Sequence, residues 1–379
     1  FDLIEIKSGT GAKQEHSHDL SFQKYVVERC GYDVRKCFVL HIDNKYVKKG
    51  DINPEELLKL TDVTSDVTKV SEGIEDRIKK MIEVIDMNTC PPITVEDLLS
   101  IKHSTFIIDE FLAGLPANNV FTLYGCRTDK KYEFWTSGYE RLSDLPDEVL
   151  NPKQKIQKKC AASNETHIDR EGIKDFLDTL EYPIYHLDFE SINPAIPLFD
   201  GTRPYQQIPF QYSLHIEQSD GDIDHKEFLH DGSTDPRRPL TERLIKDLGT
   251  KGSILTYNES FEKKVLRGLA KDFPEYSEAI DSFLQRIRDL IKPFKNFHYH
   301  DPRQKSSCSI KDVLPIFSDL DYKGLDISNG ENASQAFISL MEGKDKKPER
   351  TRKALLEYCK LDTYSMVIIL DKLRKLADR

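Results

Sequence analysis

The chain has 379 residues, 38% of them hydrophobic, and a formal net charge of −10 at pH 7. That length is enough for two domain cores, and no apolar run reaches the roughly 18 residues of a membrane-spanning helix. An acidic balance argues against a protein that coats nucleic acid with Lys and Arg. It leaves room for a local site where cations neutralise clustered carboxylates and nearby basic groups guide a strand.

The first eight residues alternate as a strand, with Glu5 and Lys7 on one face. Residues 19–30 then read as a helix carrying Gln23, residues 36–42 as a strand, and residues 54–85 as helical material. Residues 91–180 read as a helical connector, with helix at 98–101 and 104–115 and a short apolar strand or helix end at 120–124. Within it, the polar, Lys-rich stretch 152–166 reads as a linker, and 168–180 as an amphipathic helix capped by Asp169. The remainder reads as strands at 183–190, 209–218 and 225–230, a helix at 238–248, a strand at 253–257, and then mostly helices. Three strands able to pair as a meander, followed by a crossover to a fourth, make a mixed α/β sheet flanked by helices.

The chemistry concentrates in three places. In Tyr182-Pro-Ile-Tyr-His-Leu-Asp-Phe-Glu-Ser191, Asp188 and Glu190 sit two apart on an apolar strand and therefore point to one face. Two like charges there need a compensating cation, and hard cations take oxygen ligands. In Ser253-Ile-Leu-Thr-Tyr-Asn-Glu-Ser-Phe-Glu262 a strand passes through a turn into a helix, with Ser260 as its N-cap and Glu262 in the first turn. In the late helix 352–366, Tyr358 and Asp362 are four apart and share a face with Leu355 and Met366.

This order of motifs resembles the DEDD exonucleases of the ribonuclease H-like superfamily, in the subgroup whose last motif carries Tyr. The resemblance implies that Asp188, Glu190, Glu262 and Asp362 hold two Mg²⁺ or Mn²⁺ ions and that Tyr358 positions the attacking water. Glu262 stands where that family usually has Asp, and Asp289 is the alternative carboxylate. The segments 194–215, 235–238 and 309–315 also look like an uncharacterised bacterial family that joins such a domain to a RecB-like PD-(D/E)XK nuclease domain on its N-terminal side. By that resemblance Glu5 and Lys7 are the E-x-K half of a second site and Gln23 its helix glutamine, although Val27 stands where a Tyr is expected. The Asp belonging on the strand before Glu5 has no counterpart, so this restriction-endonuclease-like α/β domain is expected to be truncated. The implied organisation is residues 1–90 for the partial PD-(D/E)XK domain, 91–180 for the connector and 181–379 for the exonuclease-like domain.

The expected activity is a metal-dependent 3′→5′ exonuclease acting on single-stranded DNA or RNA ends. The alternative is a catalytically weak nuclease-like module that binds nucleic acid or a protein partner, and an oligomer is compatible with either. Basic candidates for strand contact are Lys153, Lys155, Lys158, Lys159, Arg203, Arg237, Arg238, Lys263, Lys264, Arg303, Lys305 and Lys311. Tyr205, Phe210, Tyr212 and Tyr299 could stack on bases, with Phe210 and Tyr212 reading rather as core. His298 and His300 read as loop residues, while His16 and His18 stay unassigned. Seven scattered cysteines, without a C-x-x-C, imply free thiols in a reducing, cytoplasmic setting and neither zinc nor an iron–sulfur cluster.

Overall fold

A computed structural model describes residues 1–89 and 106–378. The expectations placed on Cys90-Pro-Pro92, on 98–101 and on the first residues of 104–115 lie outside the described residues. The chain forms two compact units, Phe1–Pro92 with Asn193–Gln207 and Ile93–Ile192 with Ile208–Arg379.

The first unit runs β1 (Asp2–Ile6), α1 (Gln14–Arg29), β2 (Lys36–Ile42), α2 (Pro54–Leu57), β3 (Leu58–Asp62), α3 (Thr64–Ser71) and α4 (Ile74–Ile85). Its sheet has the order β1-β2-β3, with β1 parallel and β3 antiparallel to β2. Leu20 of α1, Val39 of β2 and Val67 of α3 meet in its core. The helical reading of 54–85 is corrected by β3. Leu58-Lys-Leu-Thr-Asp62 alternates with period two, and pairing along β2 satisfies its backbone groups although its side chains stay mostly exposed. Residues 193–207 join this unit through backbone hydrogen bonds between Lys48 and both Gly201 and Thr202, and through a Lys48–Asp200 ion pair at 2.7 Å. Ala195 and Tyr205 also pack on Ile42, Tyr46 and Leu57.

The second unit opens with α5 (Phe106–Ala113), α6 (Thr128–Thr136), α7 (Pro152–Ser163), β4 (His167–Ile168) and α8 (Arg170–Leu177). Its main sheet follows with β5 (Ile184–Ile192), β6 (Ile208–Glu217), β7 (Ile223–Leu229), α9 (Arg237–Leu248), β8 (Ile254–Thr256), α10 (Ser260–Asp272), α11 (Ser277–Arg286) and β9 (Ile287–Asp289). It ends with α12 (Lys292–Lys295), β10 (Tyr299–His300), α13 (Ile310–Phe317), α14 (Gly330–Met341) and the long α15 (Pro348–Ala377). The five strands lie in the order β7-β6-β5-β8-β9. β5, β6 and β7 form the antiparallel meander, β8 runs parallel to β5, and β9 runs parallel to β8. The expected mixed sheet flanked by helices is therefore present.

β5 is central and covered on both faces, so that even its polar residues His186, Glu190 and Ser191 are buried. Tyr185, Leu187 and Phe189 pack with Leu240 and Leu244 of α9, Val265 and Leu269 of α10, and Phe283 of α11. Ile184 belongs to a second cluster with Ile173 of α8 and Met366, Ile369 and Leu370 of α15. The period of two thus places Asp188 and Glu190 on the α15 side of the sheet.

Other expectations change. The polar stretch 152–166 is mostly helix α7 and not a linker. Asn151 and Gln154 cap it reciprocally with Pro152 in the first turn, and buried Gln157 bonds the backbone at Thr122 and Tyr124. Residues 120–122 form one 3₁₀ turn. α10 begins at Ser260 itself, and Glu259 occupies the cap position without a side-chain cap bond. β9 was not expected, since three residues are too few for a periodic signal. Asp169 does cap α8, accepting from the Gly172 amide, and His298 Nδ1 lies 2.7 Å from its Oδ2.

Phe210 of β6 is fully buried and stacks on Phe337 of α14 with centroids 3.9 Å apart. Phe210→Ala should cost about 3–5 kcal/mol, read as a melting temperature lower by roughly 8 °C or more. A drop of under about 2 °C would mean that this contact does not hold α14 to the sheet.

Candidate metal centre

β5 supplies Asp188 and Glu190, and α15 supplies Tyr358, Cys359 and Asp362. One carboxylate oxygen from each of Asp188, Glu190 and Asp362 lies within 4.8 Å of the others. The register of α15 against the sheet is set beside Asp362. Thr363 Oγ1 sits 2.8 Å from both Ser213 Oγ and His215 Nδ1 on β6, and Gln211 Nε2 donates to the Leu355 carbonyl at 2.8 Å. Leu355, Met366, Ile369 and Leu370 bury the same helix face. A slip of α15 would break these contacts together and carry Asp362 away from β5.

Several groups surround the triad. Tyr322 Oη donates to Asp362 Oδ1 at 2.6 Å, and its ring meets that of Tyr358 edge-on with centroids 6.1 Å apart. The buried Cys359 thiol lies 3.6 Å from Asp188 Oδ2. Lys311 Nζ sits over the rings of Tyr322 and Tyr358, 5.1 and 5.6 Å from their centroids. At Gly330, where α14 begins, an added Cβ would come 3.6 Å from Glu190 Oε2.

The electrostatics follow from crowding acids out of water. Burial, then the charges of Asp362, Glu190 and Glu262, pushes Asp188 well above the ordinary carboxylate range. Burial and the neighbouring Asp362 raise Glu190 to about 8 against the pull of Lys311. Burial raises Asp362 only to about 6, because Tyr322, Lys311 and Tyr358 offset it. Tyr322 and Tyr358 are both shifted upward, chiefly by burial, so each stays a neutral donor.

Glu262 stands outside the triad, but its charge is felt at Asp188. It is 2% exposed, its Oε2 has no hydrogen-bond partner, and burial raises it to about 8. An orphaned carboxylate oxygen beside three crowded carboxylates is costly as it stands. An all-oxygen donor set of this kind fits a hard divalent cation, and the triad could hold a metal ion. Asp289 is not part of the triad. Its Oδ1 accepts from the amides of Asn258 and Ile291 at 2.8 and 3.3 Å, which holds the turn where Asn258 adopts φ +72°.

In the first unit the structure brings Glu5, Lys7 and Gln23 together. Gln23 Nε2 donates to Glu5 Oε2 at 2.8 Å, and Lys7 Nζ lies 2.8 Å from Glu5 and 2.9 Å from Asp19. Among the described residues Glu5 falls in no group of three metal-ligating atoms. His16 is buried, and its Nδ1 accepts from the Lys13 amide at the start of α1.

Many of the basic candidates are engaged elsewhere. Arg237 pairs with Asp235 and Asp272, Arg238 with Glu275, Lys158 with Asp147, Lys263 with Glu259 and Arg303 with Asp301. Lys153 Nζ donates to the Lys295 carbonyl. Phe210, Tyr212 and Tyr299 are buried, which removes Tyr299 as a stacking platform. Sequence reasoning missed Tyr322 and Cys359. Tyr322 lies outside any regular element, so no periodicity points to it, whereas Cys359 could have been found as the neighbour of Tyr358 on a helix that buries more than one face.

The family described as "Domain of unknown function (DUF2779)" matches residues 185–309. The chain is similar to "Uncharacterized protein MG366 homolog" of Mycoplasma pneumoniae, 24% identical over 365 residues, covering 84% of this chain and 54% of that protein. It is also similar to "Uncharacterized protein UU173" of Ureaplasma parvum, 26% identical over 231 residues, covering 54% of this chain and 33% of that protein. The chain therefore spans about half or less of the curated relatives it matches. No solved structure matches it.

The folded pKa of Glu262, about 8, lies above the 4.5 of the free side chain. The native state thus keeps a proton that the unfolded chain releases. This contribution to stability is fully present below pH 4.5 and is lost as pH rises through about 8. In EDTA, Glu262→Gln should therefore gain on the natural chain by on the order of a few kcal/mol at pH 8 and by little at pH 5. Thermal melts against pH test this, and parallel curves would contradict it.

Proposed function

We propose that the second unit is a metal-dependent nuclease, acting as a 3′→5′ exonuclease on single-stranded DNA or RNA ends. The observation that carries this reading is the convergence of Asp188, Glu190 and Asp362, from a central strand and a distant helix, with their oxygens within 4.8 Å. The order Asp-x-Glu, Glu262, Tyr-x-x-x-Asp and the mixed sheet β7-β6-β5-β8-β9 are in keeping with the resemblance to DEDD exonucleases. Substrate, polarity and the pair of ions come from that resemblance.

Asp188, Glu190 and Asp362 would hold one Mg²⁺ or Mn²⁺, and Glu262, with Asp188, a second. Two such cations would supply an activated water and neutralise the charge on the departing 3′-oxygen. The chain does the rest by placement. Tyr322 keeps Asp362 Oδ1 in one orientation through its 2.6 Å hydrogen bond. Tyr358, kept protonated by its buried acidic surroundings, serves as a donor that orients the attacking water and not as its base. Burial of the carboxylates strengthens their hold on a cation relative to an exposed cluster.

Two further parts belong to this reading. No helix among the described residues is long and apolar enough to cross a membrane, and we place the protein in the cytoplasm, in keeping with its free cysteines. The first unit is read as a RecB-like PD-(D/E)XK relative on the strength of Glu5, Lys7 and Gln23. The competing reading, a catalytically weak module that binds nucleic acid or a protein, is favoured by Glu262 standing outside the triad.

A labelled oligonucleotide incubated with Mg²⁺ or Mn²⁺ separates the two. Digestion should stop with EDTA. Asp188→Asn and Asp362→Asn should each slow it by more than the roughly 10–100-fold typical of losing an outer-shell partner of a metal. Undiminished binding without any digestion, unchanged by either substitution, would favour the binding module.

A further inference from the structure

Beside the carboxylates lies a cleft of about 630 Å³ lined by Lys311, Pro315, Leu320, Tyr322, Leu325 and Ser328, among others. That volume falls in the roughly 300–1,000 Å³ range of small-molecule sites. Tyr322 belongs to both places. It lines the cleft, and its hydroxyl donates to Asp362. Lys311 is the cation at this junction. It lines the cleft, lies over the rings of Tyr322 and Tyr358, and gives one N–H to the Ser328 carbonyl at 2.6 Å.

We propose that Lys311 is the substrate-phosphate contact of this centre, and that the cleft seats the terminal nucleotide of a nucleic-acid strand. This rests on the nuclease reading and goes further by assigning a residue and an entry to the substrate. Three points carry it.

First, a lysine ammonium has three donors, and among the described residues its hydrogen bonding is to Ser328 alone. Two donors remain for a ligand. Second, it stands over the rings of Tyr322 and Tyr358, and Tyr322 donates to Asp362, so the ammonium sits one side chain away from the carboxylates of the site that must accept a phosphodiester. Third, the cleft mixes apolar walls, Pro315, Leu320 and Leu325, and the Tyr322 ring with Lys311 and Lys323 set against Asp319 and Asp321. The walls and the ring suit a sugar and a base, while a compact point charge suits a phosphate oxygen. Five of the eleven other basic candidates already have acidic partners, and of the twelve only Lys311 lines this cleft.

The test compares the full chain with Lys311→Met and Lys311→Arg. Three quantities are read: digestion of a 5′-labelled oligonucleotide with Mn²⁺, its dependence on salt, and Mn²⁺ affinity by direct titration. Lys311→Met should raise KM about tenfold or more while Mn²⁺ affinity holds. It should also flatten the slope of log(kcat/KM) against log salt by about 0.7, the value of one phosphate contact on a single strand. Lys311→Arg should recover most of the KM and the slope. An unchanged KM and slope in Lys311→Met would overturn the assignment. So would a change of Mn²⁺ affinity in either direction alongside KM, since Lys311 would then act on the carboxylates and not on phosphate. If the natural chain neither binds Mn²⁺ nor digests any oligonucleotide, the nuclease reading itself fails, and this assignment fails with it.

Discussion

Acidic groups held together out of water repel one another, and much of the second unit is arranged around that cost. Asp188 and Glu190 are forced onto one face by the strand period, and Asp362 is brought to them by a 30-residue helix. The fold tolerates this because the surroundings are rigid and selectively polar. Leu187, Phe189 and Tyr212 fill the opposite side of the sheet, so β5 cannot rotate to release its acids. Ser213, His215 and Thr363 pin α15 one residue from Asp362. Tyr322 and Lys311 then offset part of the charge. What stays uncompensated, above all Glu262 Oε2, is the part a cation would relieve.

The parts legible in the sequence were those with a period. The apolar residues Ile184, Tyr185, Leu187 and Phe189 gave away β5, the strand period put Asp188 and Glu190 on one face, and the spacing of four put Tyr358 and Asp362 together on α15. The meander and the crossover to β8 followed from strand order. Three of the elements that escaped did so because tertiary context decides them. β3 is held by backbone pairing with β2 more than by burial of its side chains. α7 looks polar because two of its three buried residues are glutamines that bond backbone carbonyls. β9 has only three residues, and its Asp289, weighed as a metal ligand, instead holds a turn by accepting two amides.

The site shows the same division. Motif residues were readable, but their partners were not. Tyr322 reaches Asp362 from a segment without regular structure, and Lys311 could not be told from the eleven other basic candidates until its position over two tyrosines was known. Glu262 is the instructive case. The longer acidic side chain, where Asp is usual in the family it resembles, is buried and raised in pKa, yet it stays outside the closest group of oxygens. Its role depends on whether a second ion draws it in.

Crystals soaked in Mn²⁺ and measured at the manganese edge test that point most directly. We expect two anomalous peaks about 4 Å apart, one among Asp188, Glu190 and Asp362 and the other between Asp188 and Glu262. A single peak within the triad would leave Glu262 without its assigned role. No peak at any of these carboxylates at millimolar Mn²⁺ would contradict the account.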